Sequence, residues 1–84
     1  MRKLWEDTAW EDYLYWQIND KKILRKINSL IKSCERTPFS GIGKPEPLKN
    51  ELATCWSRRI TDEHRLVYKV ENDILIIIQC RFHY

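Results

Sequence analysis

The last third of the chain reads Cys55-Trp56-Ser57-Arg58-Arg59-Ile60, Thr61-Asp62-Glu63-His64, Arg65-Leu66-Val67-Tyr68-Lys69-Val70, Glu71-Asn72-Asp73 and Ile74-Leu75-Ile76-Ile77-Ile78-Gln79-Cys80-Arg81-Phe82. Three runs rich in β-branched and aromatic residues, parted by two short polar clusters, predict strands over 55–60, 65–70 and 74–82 joined as hairpins. With Arg59 opposite Arg65 and Val70 opposite Ile74, the even positions share a face: Trp56, Ile60, Leu66, Tyr68, Val70, Ile74, Ile76, Ile78, Cys80 and Phe82. Arg58 alone breaks its apolar character. The odd face gathers Ser57, Arg59, Arg65, Lys69, Gln79, Arg81 and His83. A slip of one residue would mix the two sets, so burial selects this register. Val67, Leu75 and Ile77 also fall on the charged face, which predicts that a partner covers part of it.

Upstream, the apolar period changes from two to that of a helix. Ile23, Leu24, Ile27, Leu30, Ile31 and Cys34 form one stripe, with Lys21, Lys22, Arg25, Lys26 and Lys32 largely outside it. Asn19-Asp20 caps this helix and breaks an earlier one, expected over about 8–17 from Trp10, Tyr13 and Leu14. Thr8 and Glu11 have the spacing of a capping box at its start. Leu4-Trp5 reads as the end of a short first strand, and Leu48-Lys49 as another short one. The fold class expected is α+β: two N-terminal helices on one face of a small antiparallel sheet, with a cationic face opposite.

Eighty-four residues form one domain, 1–84, and leave no room for a second core. Ten aromatics and 43% hydrophobic residues exclude a disordered chain. The longest apolar run, Ile74–Ile78, is far short of the roughly 20 residues that cross a bilayer. Met1-Arg2-Lys3-Leu4-Trp5-Glu6-Asp7 has no apolar signal core, so a cytosolic protein without membrane contact is expected. Cys34, Cys55 and Cys80 include no CxxC pair and are odd in number, which argues for reduced thiols over a disulfide framework or a zinc site. The net charge is +3, and the segment from Arg36 to Lys69, with seven bases and four acids, carries an equal surplus, suited to a polyanion.

Between Pro38 and Lys49 lie both glycines (Gly41, Gly43) and the other two prolines (Pro45, Pro47). So long a loop in so small a domain points to function. RNA cleavage without a metal needs a base for the 2′-hydroxyl, an acid for the leaving 5′-oxygen and cations for the phosphorane. Glu46, between two prolines, is a candidate base, and Lys44 and Lys49 keep its loop positive. Arg59 and Arg65 face the same way and suit a clamp on phosphate oxygens. His83 on that face has a side chain suited to proton transfer near neutrality. Tyr84 offers a ring to stack on a base, or a proton, and Arg81 adds a cation. The four tryptophans read as core or interface residues, and His64, in a turn, is assigned no chemistry. Composition and spacing alone leave an RNA-directed enzyme, a plain RNA-binding module and a solvated cationic face all open.

Several longer motifs bear on the choice: Thr37-Pro38-Phe39, Gly43-Lys44-Pro45-Glu46-Pro47-Leu48-Lys49, Trp56-Ser57-Arg58-Arg59-Ile60-Thr61, Glu63-His64-Arg65-Leu66-Val67-Tyr68 and Cys80-Arg81-Phe82-His83-Tyr84. Together with the helix carrying Asp12-Tyr13-Leu14-Tyr15-Trp16, these resemble the YoeB (Txe) toxins of the RelE superfamily over essentially the whole chain. The resemblance implies a compact RelE-like, microbial-ribonuclease-like fold and cleavage of mRNA in the ribosomal A site. It implies a YefM-type antitoxin whose C-terminal segment covers the active face, operator DNA bound only through that complex, and a homodimer. It also implies Glu46 as general base, His83 as general acid, Arg65 as stabiliser of the pentacoordinate phosphate, Tyr84 as a substrate-setting residue, and Lys49 and Arg59 as supporting cations. A 2′,3′-cyclic phosphate product and no metal or other cofactor are expected with it. Departures from the family pattern fall in 50–55 and 76–79 and bear on antitoxin specificity. The alternative on this scaffold is a non-catalytic toxin of the gyrase-poisoning ParE type, against which Glu46 and the His83-Tyr84 ending argue.

Overall fold

Two helices and a five-stranded sheet make up the fold in the computed structural model, which describes residues 1–84. In chain order they are β1 (Arg2–Trp5), α1 (Asp7–Asn19), α2 (Lys21–Arg36), β2 (Glu46–Pro47), β3 (Trp56–Arg59), β4 (Arg65–Glu71) and β5 (Ile74–Gln79), with a 3₁₀ turn at Asn50–Leu52. The strand order is β1-β5-β4-β3-β2. Because β1 runs parallel to β5 while the other pairs are antiparallel, the sheet is mixed. The short strand expected at Leu48-Lys49 lies instead at Glu46–Pro47, where Glu46 pairs with Ser57.

Asp20 divides the helices as its side chain requires. Its carboxylate accepts from the amides of Lys22 and Ile23, 3.0 and 3.2 Å away, while its own amide closes the last turn of α1 on Trp16. The capping box at Thr8 and Glu11 does not form. Glu6 is the N-cap and makes no side-chain capping bond, so Thr8 lies within the helix. Ile27, Leu30, Ile31 and Cys34 of α2 are buried with Ala9 and Trp16 of α1 against Leu66, Tyr68, Leu75, Ile77 and Cys80. Burying about ten such side chains at 1.5–3 kcal/mol each is what opposes the chain's conformational entropy.

The β3–β4 register is the expected one, Arg59 opposite Arg65. The β4–β5 register is not: Val70 pairs with Leu75, and Glu71 with Ile74. Asn72 and Asp73 both adopt left-handed backbone, φ 51° and 61°, and so make a two-residue turn that closes the hairpin one residue later than burial suggested. As a result Leu75 and Ile77 enter the core, fully buried, and Ile74, Ile76 and Ile78 move to the opposite face, half-buried. A bulge at Ile78 then sets Gln79 opposite Val67. Beyond Gln79 the chain leaves the sheet, so the strand expected to about Phe82 ends three residues sooner.

Arg58, the exception on the apolar face, is fully buried and touches no carboxylate. Its Nε donates to the Tyr68 hydroxyl, Nη1 to Ser33 Oγ and the Ile42 carbonyl, and Nη2 to the carbonyls of Thr37 and Ser40. The guanidinium thereby pins the Gly/Pro loop against α2 and the sheet. Gly43, at φ 82°, passes so close that a Cβ there would lie 2.6 Å from Leu30 Cδ2. The Gly43 carbonyl accepts from the Arg59 amide at 2.7 Å, which delivers the next residues, Lys44 to Pro47, to the edge of β3.

Candidate active site

On the sheet face away from the helices, Lys44, Glu46, Ser57, Arg59, Arg65, His83 and Tyr84 surround an open cleft of about 150 Å³. Each element contributes for a local reason. Alternation along β3 and β4 puts Ser57, Arg59 and Arg65 on one face. The pinned loop supplies Lys44 and Glu46, and the tail beyond β5 folds back with His83 and Tyr84. The Tyr84 hydroxyl donates to Glu46 Oε1 at 3.1 Å and lies 3.3 Å from Ser57 Oγ, tying the tail to β2 and β3. The His83 and Tyr84 rings lie 4.7 Å apart, and His83 Nδ1 is 3.2 Å from the Tyr84 carbonyl.

Three cations face one side-chain carboxylate here, so the cleft favours an anion. Arg65 is nearly buried, and its Nη1 donates to the carbonyls of Thr61, Asp62 and His64 at 2.6, 3.2 and 3.0 Å. These bonds fix the guanidinium plane in advance of any ligand. Arg59 is more exposed and makes a loose 3.6 Å ion pair with Asp62, an interaction worth little in water. Glu46, His83 and Tyr84 are exposed. The arrangement thus has an accessible carboxylate, an accessible imidazole and a phenol around a phosphate-sized basic recess.

Two sequence-expected residues lie outside the cleft. Lys49 lines an adjoining depression of about 360 Å³ that shares Glu46 and Tyr84 with it. Arg81 is turned away altogether: its guanidinium lies 3.5 Å from the centre of the Tyr15 ring on α1 and 4.4 Å from that of Phe82. The bulge at Ile78 and the end of β5 break the alternation that had placed Arg81 with His83. Ser57 also lines the cleft, and its parity with Arg59 and Arg65 is the signal in the sequence that marks it. No three His, Cys, Asp or Glu side chains converge as a metal site. Burial pushes the Cys34 and Cys80 thiols up to about 11 and about 12, so both are poor nucleophiles. No helix is long and apolar enough to cross a membrane.

Sequence comparison places this α+β scaffold, with its basic cleft, in a class of small toxins. Residues 5–84 match the family described as the YoeB-like toxin of bacterial type II toxin–antitoxin systems, and the chain belongs to that family. It is 61% identical to toxin YoeB of Escherichia coli K12 over the full length of both chains. Among solved structures, a YoeB/ParE toxin from Agrobacterium tumefaciens superposes with a TM-score of 0.98 at 53% identity, covering all of both chains. From Staphylococcus aureus, a YoeB–YefM complex and a YoeB dimer superpose at 0.92 and 0.93, with 47% and 48% identity, over all of this chain and 98% of theirs. This protein is therefore a toxin of a type II toxin–antitoxin system with the fold shared by those relatives.

Proposed function

We propose that the toxin is a ribosome-dependent mRNA endoribonuclease that cuts in the A site by metal-independent transesterification and so stops translation. The observation that carries the reading is the convergence of Glu46, His83 and Tyr84 with Lys44, Arg59 and Arg65 on one cleft. Glu46 takes the proton of the 2′-hydroxyl, whose oxygen attacks the adjacent phosphorus. The P–O5′ bond breaks, and protonated His83 gives its proton to the leaving oxygen. One fragment ends in a 2′,3′-cyclic phosphate and the other begins with a 5′-hydroxyl.

Arg65, fixed by the turn carbonyls, meets the charge that develops on the phosphorane, with Arg59 and Lys44 beside it. Tyr84 orients Glu46 and offers its ring to a base of the splayed mRNA. Lys49, in the adjoining depression, suits a neighbouring phosphate. Arg81, held on Tyr15, is left out of the RNA-binding set. The S. aureus relatives form a complex with YefM and a dimer. For this toxin we infer a YefM-type antitoxin, operator binding through that complex alone, and a homodimer in the free state.

The test is translation of a defined mRNA on purified ribosomes, with 5′ ends mapped by primer extension. The expected result is a new cut within the A-site codon, lost in Glu46→Ala and His83→Ala. Both residues are exposed, so neither change should alter stability by more than about 0.5 kcal/mol. Arrest without a cut would instead make the toxin a binder that blocks the A site. Unimpeded translation would direct the search to gyrase.

A further inference from the structure

His64 has no part in the chemistry above, yet it holds the segment that carries His83 and Tyr84. The Arg65 amide donates to the Phe82 carbonyl at 3.0 Å, and the Phe82 amide donates to His64 Nδ1 at 2.8 Å. A backbone amide only donates, so Nδ1 presents a lone pair and the ring proton resides on Nε2. Trp16 packs edge-on against the imidazole, with centroids 4.8 Å apart.

Up to Cys80 the tail is locked onto α1. The Cys80 amide donates to Asp12 Oδ2, and its carbonyl accepts from Trp16 Nε1. After Arg81 its backbone is held to the rest of the protein by the two bonds to Phe82 alone. Phe82 stands at φ 66°, a left-handed conformation that crowds any residue with a Cβ. This reversal separates Arg81, which stays over Tyr15, from His83 and Tyr84, which reach the cleft.

We infer that His64 is a positioning residue: its neutral imidazole accepts the Phe82 amide and holds the left-handed turn that aims His83 and Tyr84 at the cleft. A second ring proton would set a donor against a donor and release the turn. The charged group that interacts with it is Asp12 on α1, which itself has Glu11 and Arg81 beside it, and Glu63 and Arg65 are its neighbours in the chain. The kinetic consequence rests on the ribonuclease reading, whereas the ordering of the tail does not.

The experiment uses ¹⁵N-labelled toxin with His64→Leu, which removes the acceptor, and His64→Asn, whose Oδ1 stands near the place of Nδ1. In His64→Leu, the His83 and Tyr84 amides should lose order by heteronuclear NOE. Single-turnover cleavage on ribosomes should fall roughly 10- to 100-fold. His64→Asn should restore most of both. In the wild type, the Phe82 amide shift should follow the titration of the His64 ring as pH is lowered. An ordered tail in His64→Leu would overturn the inference, as would a wild-type cleavage rate there. If His64→Leu does not fold, the wild-type titration decides, and a Phe82 amide blind to the His64 ring overturns it. Should the wild type cut no mRNA, the ribonuclease reading fails, and the tail-order measurements still judge His64.

Discussion

Replacing Arg58 by Met keeps an unbranched stem in the core and removes five hydrogen bonds. The acceptors left behind are the Tyr68 hydroxyl, Ser33 Oγ and the carbonyls of Thr37, Ser40 and Ile42. A bond from a charged donor contributes about 1.5–3 kcal/mol, but a plain sum overshoots, because the loop carbonyls can turn to water once the loop swings out. The Tyr68 hydroxyl keeps the Pro38 carbonyl as its own acceptor at 2.6 Å. The net cost expected is about 4 kcal/mol, roughly that of leaving two buried acceptors unsatisfied at about 1–3 kcal/mol each. A domain this size has about 4–13 kcal/mol in all, so the variant should fold near threshold or with a detached loop. With an m-value of about 1.3 kcal/mol per molar urea, the midpoint should drop by roughly 3 M, read by tryptophan fluorescence. Arg58→Lys, with charge but no fork, should fall between the two. A Met variant within about 1 M of the wild type would refute the idea that this guanidinium holds the loop.

Gly43→Ala should destabilise by about 2–3 kcal/mol, because the added Cβ meets Leu30 at 2.6 Å on a backbone of φ 82°; denaturant melts check it. At alkaline pH the sign is set by three neutral buried groups. Cys34 and Cys80 are raised from 9.0 to about 11 and about 12, and Tyr68 from 10.0 to about 12, in each case chiefly by burial. Their contribution is complete below pH 9 and is lost as the unfolded chain ionises first. The urea midpoints should therefore show a loss of about 3 kcal/mol between pH 8 and pH 10. In the same pH range Cys34 and Cys80 should resist thiol reagents in native protein and react on unfolding, and rapid native labelling would contradict their assigned burial.

Much of the site was legible because it lies on regular elements. The Arg59–Arg65 pairing follows from a five-residue connection, Ile60 to His64, and alternation, and it carries Ser57 to the same face. The Gly/Pro loop announced itself by composition, and Glu46 by its place between two prolines. The sequence does not mark His64, because a turn histidine has no distinguishing neighbours along the chain. Its partner, the Phe82 amide, lies 18 residues away and meets it only after β5 has been laid against β4. Arg81 failed for the complementary reason: its expected face was extrapolated past the end of a strand.

What the sequence alone determined are the features written in local periodicity: the amphipathic stripe of α2, the Asp20 boundary, the β3–β4 register and the cationic face of β3 and β4. Ile74–Ile78 has no alternation to read, since every residue is apolar and either face would accept burial. Only the assembled hairpin decided it, through two left-handed residues at Asn72-Asp73 and a bulge at Ile78. The same holds for Arg58, whose carbonyl partners converge from a loop 16 to 21 residues upstream. Hydrophobic pattern specifies a register only where the two faces differ in polarity. Where they do not, turn geometry and long-range hydrogen bonds choose, and these exist only in the folded chain.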